Sequence, residues 1–301
     1  MMSIFIGCSG WSYDDWVGRF YPYELKDERW RWFSFYSEFF PAVEVNSSFY
    51  KPPTQQIITT WLDKVKNMGP FEFSMKVPQS VSHVHLVDGE LDKAVEVARS
   101  FEAVSLLPMT SAGRLGAALI QMSPYFKNED GNLQLLKDFL DSLSLDTISY
   151  AIEFRHRSWL NAAQNELDME VINALSNRNV ANTFLDGPGF PVTTAATADH
   201  AYFRFHGRNR DIWFTGEKDD DGRIDRYDYL YTEAQLKHWA TKVKLISSDV
   251  NMVRVFFNNH GRSKAARNAF QMMDVLNIPH KERAFQIQDQ ATLSDFMEPP
   301  K

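Results

Sequence analysis

The stretch FEFSMK, Phe71 to Lys76, alternates apolar and polar side chains at every step, which is the period of a strand with two unlike faces. It lies between two helical patterns. The upstream one opens at Pro52-Pro53-Thr54, residues suited to a first helical turn, and runs to about Asn67; the downstream one spans Glu90 to Leu107. The same strand–helix alternation extends in both directions. Strands are expected at Ser3–Cys8, Ala42–Asn46, Phe71–Lys76, Leu115–Gln121, Ser149–Arg155, Val180–Leu185, Ala201–His206 and Met252–Asn258. Helices are expected at Asp27–Phe40, Asn132–Leu143, Asp168–Asn177, Thr232–Ile246 and Arg262–Leu276 as well. Strands separated by helices pair in parallel through crossovers. Eight such units in a 301-residue chain imply a closed α/β barrel of the TIM type, (β/α)8, with outer helices. A doubly wound open sheet is the competing architecture. It usually carries a glycine-rich phosphate turn after its first strand, and Gly7-Cys8-Ser9-Gly10 lacks the required spacing. No repeat or linker breaks the pattern, so residues 1–280 are expected to form a single barrel domain. The polar segment 281–301 is expected to be a C-terminal extension packed outside the barrel or frayed.

Composition limits the function classes. A net charge of −7 and an isoelectric point near 5.6 argue against a broad basic face coating nucleic acid, though not against a local basic pocket. One cysteine, Cys8, allows no intrachain disulfide and fits a reducing compartment, so a cytoplasmic location is expected. No run approaches the roughly 20 apolar residues that span a bilayer. The opening MMSIFIGCSGW reads as a first strand rather than as a lipoprotein signal, because it lacks a basic region and its apolar run is short.

The polar residues inside these strands carry the functional signal. Barrel strands point every second side chain inward, and the interior should be apolar except at the C-terminal mouth. Glu44 and Asn46 share one face of their strand, Glu72, Ser74 and Lys76 another, Glu153 and Arg155 a third, and Arg204 and His206 a fourth. The fourth strand ends in Gln121, His156 follows the fifth, and the eighth ends in Asn258-Asn259-His260. A buried ion-pair network, for example Glu153 with Arg155 or Arg204, is the structural alternative. Polar ends on at least five strands point instead to a pocket. Barrels often bind phosphate at the loops after strands seven and eight, and here those loops hold Arg204, His206, Gly207, Arg208, Asn258, Asn259, Gly261 and Arg262.

Seven stretches resemble the YecE-like family, domain of unknown function 72. They are GCSGWSYDDWVGRFYP (Gly7 to Pro22), VEVNSSFYKPP (Val43 to Pro53), FSMKVPQSVSH (Phe73 to His83), LGAALIQMSP (Leu115 to Pro124), AIEFRHRSW (Ala151 to Trp159), YFRFHGR (Tyr202 to Arg208) and VFFNNHGRSKAARNA (Val255 to Ala269). The resemblance implies a TIM-type barrel, similar in shape to xylose-isomerase-like and endonuclease-IV-like barrels. It implies no particular reaction.

The residue types support an anion-binding pocket, its ligand phosphate-bearing, in a hydrolase- or lyase-like enzyme using acid–base chemistry. Glu153 or Glu44 would serve as base and His206 or Lys76 as acid. Arg155 and Arg204 would hold the anion. Trp11, Asn46, Gln121, His156, Trp159, Asn258 and Asn259 complete the expected ligand-binding set. The expected partner is an anionic small molecule or nucleotide, with nucleic acid as a further candidate and no membrane. A glycosidase pair of Glu44 and Glu153 is a subset of this chemistry. Two alternatives stand beside it. One is a non-catalytic binder of nucleotides or nucleic-acid ends, with Trp11, Trp16, Phe20, Tyr21, Phe49, Tyr50 and Trp159 available for stacking. The other is a metal-dependent phosphodiesterase, its divalent metal held by Glu44, Glu153, His206 and His156. Against a metal, Lys76, Arg155 and Arg204 would repel a cation. The segment 217–228 partly resembles a calcium loop, but it starts with Glu and ends with Asp and reads better as a solvated lid. Cys8, Ser9 and Ser12 lack an evident base for nucleophilic catalysis.

Overall fold

The computed structural model describes residues 3–129, 131–191, 193–213 and 225–282. Eight strands close into an all-parallel barrel in chain order. They are β1 (Ser3–Ser9), β2 (Ala42–Val45), β3 (Glu72–Lys76), β4 (Leu115–Gln121), β5 (Tyr150–Glu153), β6 (Ala181–Asp186), β7 (His200–Phe205) and β8 (Met252–Phe257). Crossover helices surround them: α1 (Arg29–Tyr36), α2 (Ser47–Tyr50), α3 (Gln55–Val65), α4 (Leu91–Phe101), α5 (Leu107–Ser111), α6 (Asn132–Asp141), α7 (Met169–Ser176), α8 (Arg210–Trp213), α9 (Glu233–Ser247) and α10 (Lys264–Leu276). Thr54 starts α3 by accepting the Ile57 N–H at 3.4 Å. Thr232 and Gln235 cap α9 reciprocally, each side chain bonding the other's backbone N–H.

Two apolar layers result from the strand alternation. The larger lies between strands and helices and takes Ile6, Cys8, Phe73, Met75, Ile120, Ile152, Phe203 and Val255. The smaller fills the barrel axis with Ala42, Ala117, Leu119, Ala151, Ala181, Tyr202 and Phe256. Four alanines leave room there for two large rings, Tyr202 and Phe256, whose centroids are 5.2 Å apart. A register shift between β3 and β4 brings Gly116 against the buried Glu72–Arg254 ion pair (2.7 Å). A Cβ on Gly116 would come within 3.0 Å of Glu72 Oε2 and of Arg254 Nε.

Several elements differ from the sequence expectation. Residues Glu90 to Leu107 do not form one helix: a π-helical turn at Glu102–Leu106 separates α4 from α5. The turn goes with an inward Glu102, whose carboxylate accepts the Tyr150 hydroxyl at 2.6 Å and the Ser144 N–H at 2.9 Å. The first helix is shorter than Asp27–Phe40, and a second π-helical turn, Ser80–His85, follows β3. β2, β7 and β8 stop one residue before Asn46, His206 and Asn258, and β5 stops two residues before Arg155, so these side chains stand beyond the strand ends. Most of the 217–228 loop and nearly all of the 281–301 extension lie outside the described residues. Among the described residues no helix is long and apolar enough to cross a membrane.

Candidate functional site

Above the Tyr202–Phe256 layer, the C-terminal mouth gathers polar side chains from β2, β3, β4, β5, β7 and β8. Arg204, 1% exposed, sits at their centre between two carboxylates. Its Nε and Nη2 donate to Glu44 Oε2 and Oε1 at 2.9 and 2.8 Å, the bidentate geometry that a planar guanidinium favours. Its Nη1 donates to Glu153 Oε2 at 2.5 Å. Tyr202 adds a hydroxyl donor to Glu44 Oε2 at 2.8 Å. Arg155 makes an ion-pair contact with the other oxygen of Glu153. Burial alone would raise both carboxyls. For Glu44, attraction and hydrogen bonds from Arg204 outweigh it and lower the pKa. For Glu153, Arg155 and then Arg204 outweigh it and hold the carboxyl well below its ordinary range. Both are therefore ionised and engaged.

His206 is neutral, and its tautomer follows from a chain of hydrogen bonds anchored on backbone. Asn46 Nδ2 donates to the Ser9 carbonyl at 3.4 Å and to Asn258 Oδ1 at 3.2 Å. This orientation directs Asn258 Nδ2 to His206 Nδ1 at 2.9 Å. His206 Nδ1 is thus an acceptor and its proton resides on Nε2, which lies 3.7 Å from Glu153 Oε2. Burial, reinforced by the Arg204 charge, lowers its pKa to about 3. Nε2 also lies 3.4 Å from Arg204 Nη1, and His206 is a poor proton acceptor.

On the opposite side of the mouth, three cationic groups meet one neutral oxygen. Gln121 Oε1 lies 3.0 Å from Lys76 Nζ, 2.9 Å from Arg155 Nη2 and 3.5 Å from Arg204 Nη1. Lys76 has no carboxylate within ion-pair distance among the described residues, and its Nζ stands 3.9 Å from the Phe49 ring centroid. Burial, then repulsion from Arg204, lowers its pKa to about 7. Arg155 packs against the Phe190 ring at 4.1 Å, and its buried Nε has no hydrogen-bond partner.

The structure therefore brings together Glu44, Asn46, Lys76, Gln121, Glu153, Arg155, Arg204, His206 and Asn258. Four of the expected residues stand apart. Trp159 is fully buried, with its indole N–H on the Phe126 carbonyl at 2.9 Å, so it has no free face for a ligand. Trp11 packs edge-on to Phe33 and Trp61, towards the helices. His156 caps the short turn Arg157–Trp159 by accepting the Ser158 N–H at 3.0 Å. Asn259 points away from the axis and donates to the Tyr229 carbonyl and to Asn268 Oδ1 at 2.7 and 2.8 Å. Trp16, Phe20 and Tyr21 are buried as well, whereas Tyr50 is 73% exposed.

Two further expectations are corrected. The cradle expected after strands seven and eight is occupied by the chain's own carboxylates: Asp15 accepts the Arg262 N–H at 2.7 Å, Asp228 pairs with Arg262 and Lys264, and Asp186 pairs with Arg208 at 2.9 Å. The carboxylates named for a metal or a glycosidase pair are separated by the Arg204 guanidinium. Among the described residues no group of three His, Cys, Asp or Glu side chains converges as a metal site.

His83 was missing from the expected set. Its ring packs edge-on to Phe49, with centroids 5.0 Å apart. The Ser82 hydroxyl donates to the Gln121 carbonyl at 2.7 Å, so Ser82 Oγ accepts from His83 Nδ1 at 2.9 Å and leaves Nε2 as an acceptor. Its position next to the third strand was visible in FSMKVPQSVSH, but strand alternation does not reach into the π-helical turn that carries it.

Comparison with known proteins agrees with this fold. Residues 5–292 match the family model described as protein of unknown function DUF72. The chain is 28% identical over 280 residues to the UPF0759 protein YunF of Bacillus subtilis, covering 92% of this chain and 96% of that protein. It is 25% identical over 235 residues to YecE of Escherichia coli, covering 70% and 78% of the two chains. A crystal structure of a DUF72 family protein from Thermotoga maritima superposes with a TM-score of 0.76 at 32% identity, covering 91% of this chain and 99% of that one. One from Enterococcus faecalis gives 0.72 at 23% identity, covering 96% and 100%, a likeness of fold.

Proposed function

The chain belongs to the DUF72 family of proteins of unknown function, and we propose that its barrel mouth binds a small phosphate- or carboxylate-bearing molecule and acts on it by acid–base chemistry. The observation that carries this reading is the convergence of Lys76, Arg155 and Arg204 on Gln121 Oε1. Glu153 already takes Arg155 Nη2 and Arg204 Nη1, so among the described residues Lys76 Nζ has only this uncharged amide oxygen, and Arg155 Nε has no acceptor. The ionised groups of the mouth also leave an imbalance: three cations, counting protonated Lys76, against the two carboxylates Glu44 and Glu153. An anion placed beside Gln121 would take hydrogen bonds from Lys76 and from the unpartnered Arg155 Nε and would offset the excess charge.

Roles follow from what each group is already doing. Arg204, Glu44 and Glu153 hold one another and form the floor. Arg155 is the anion anchor. Proton transfer falls to Lys76 rather than to Glu153 and His206, because a general acid or base works best with a pKa near the operating pH. Lys76 has such a value, about 7, while His206 is near 3. The reaction class is lyase- or hydrolase-like.

A thermal-shift series with inorganic phosphate, citrate, sugar phosphates and nucleoside monophosphates, each with and without chelator, tests the reading. A ligand at a hundred times its Kd adds about 2.7 kcal/mol to native stability. At least one anion should stabilise the wild type regardless of chelator, and Arg155→Met should abolish that shift. No stabilisation by any of them, or an equal shift in Arg155→Met, would overturn the assignment.

A further inference from the structure

We propose that Lys76 forms an imine with the ligand's carbonyl carbon, so that the substrate class is anions bearing an aldehyde or ketone near the charged group, such as 2-oxo acids and ketose phosphates. The inference rests on the anion site above and gives Lys76 a nucleophilic role there in place of proton transfer. Three features of the geometry support it. Lys76 is the last residue of β3, and its carbonyl accepts the Ser48 hydroxyl at 2.8 Å, so the base of the side chain is fixed. Nζ meets an amide oxygen and an aromatic face, with no carboxylate in ion-pair contact among the described residues, and burial outweighs the more distant Glu44 and Glu153. Arg204 and Arg155 stand across Gln121 Oε1 from it. Desolvation next to other cationic groups is the known means of turning a lysine into an amine nucleophile near neutral pH. The lowered Lys76 pKa agrees with that environment.

The step balances without an oxidant or reductant. The Lys76 amine adds its lone pair to the carbonyl carbon as the C=O π pair moves to oxygen, and one proton passes from the new ammonium nitrogen to that oxygen. The carbinolamine then forms C=N as its hydroxyl and its remaining N–H proton leave together as water, so both amine protons and the carbonyl oxygen depart as one water molecule. His83 Nε2, left as an acceptor by the Ser82 hydrogen bond, is placed on the same Phe49 ring as Lys76; burial and the Lys76 charge lower its pKa to about 4, so it relays protons from nitrogen to oxygen rather than keeping one. Arg155 holds the anionic group, which fixes where along the ligand the carbonyl must lie.

Reductive trapping reads this directly. The full chain is incubated at pH 7 with pyruvate or dihydroxyacetone phosphate and sodium cyanoborohydride, followed by intact-mass measurement and peptide mapping. The expected result is one adduct per chain, on Lys76, forming on the order of a hundredfold faster than on surface lysines. A pKa of about 7 gives about a thousandfold more free amine than the ordinary value near 10.4, and lower basicity takes back part of that gain. Lys76→Met should lose the adduct. Inorganic phosphate should protect Lys76 in the wild type, an arm that needs no variant. Label spread evenly over many lysines, or a single adduct that persists in Lys76→Met, would overturn the proposal. If phosphate stabilises the protein but no adduct forms on Lys76, the imine fails and the anion site stands. If Lys76 is labelled without phosphate protection or stabilisation, the imine stands and the anion site fails.

Discussion

At the residue scale, Arg204 is the side chain on which the mouth depends. Removing it leaves Glu44 and Glu153 buried at 0% exposure without their shared partner. Breaking a buried ion pair from one side costs about 3–5 kcal/mol, because the remaining charge stays desolvated. Arg204→Met should lower the unfolding free energy by that amount in urea denaturation. A change below about 1 kcal/mol would mean that the carboxylates find other partners. Lys76 has the opposite effect on stability. Its folded pKa is about 7 against about 10.4 unfolded, so between those values the unfolded chain binds more protons and stability rises with pH. Below pH 7 the penalty of the buried ammonium is fully present. Lys76→Met should therefore be more stable than wild type at pH 6, with the advantage shrinking towards pH 10; a pH-independent difference would contradict the assigned environment. Much of this was legible in the sequence, because Arg204 within YFRFH and Lys76 within FEFSMK are charged residues at inward positions of apolar strands. Hidden from it was that Arg204 bridges both carboxylates, since the distances between β2, β5 and β7 side chains depend on barrel closure.

The strand ends decide which residues reach the mouth. Asn46, Arg155, His206 and Asn258 follow the last residues of their strands, which keeps the inward direction while freeing them from the sheet. Asn259, one residue further, turns outward to α10. A one-residue step reverses the face, and a run such as Phe257-Asn258-Asn259-His260 does not announce which asparagine is inward. The aromatic residues were ambiguous for a related reason: Trp159 and Trp11 sit in strand-end loops, yet the helices beside them offer enough apolar surface to bury one and half-bury the other. Glycine is required where elements approach closely. A Cβ on Gly7 would come within 2.0 Å of the Ala42 carbonyl oxygen and 2.9 Å of the Tyr36 hydroxyl. That hydroxyl donates to the Ala42 carbonyl and accepts the Cys8 N–H, tying α1 to β1 and β2. Gly7→Ala should separate those strands and yield insoluble or molten protein by near-ultraviolet circular dichroism and dye binding. Gly116→Ala should be milder, about 1–3 kcal/mol in denaturant titration, because the Cβ would meet side chains only, Ser74 Oγ at 2.7 Å and the ends of Glu72 and Arg254 at 3.0 Å, rather than backbone.

For the whole molecule, closure of eight parallel strands gathers Lys76, Arg155 and Arg204 at one end of an acidic protein, so the −7 net charge says little about that local site. The barrel was readable from its strand–helix alternation, whereas the π-helical turns that position Glu102 and His83 follow no simple period. The same interior makes the protein sensitive to acid. Burial lowers His206 to about 3 and His200 and His260 to about 4, while their unfolded values lie near 6.5. Between those values the unfolded chain binds the extra protons, so stability is intact above about pH 6.5 and falls on acidification. Each fully depressed imidazole contributes a slope of about 1.4 kcal/mol per pH unit in that window. Unfolding free energies measured from pH 7 to pH 4.5 should fall steeply, and His200→Gln should flatten the curve. An equal slope in that variant would show that His200 is not buried neutral.

If Lys76 and Arg155 face an anion, the pH titration of the Lys76 side chain followed by carbon-13 NMR should respond to inorganic phosphate. The midpoint should lie near pH 7 in the free protein and move higher once phosphate is bound, because an adjacent anion stabilises the ammonium. A midpoint near the ordinary lysine value, or one that phosphate leaves unmoved, would contradict that placement.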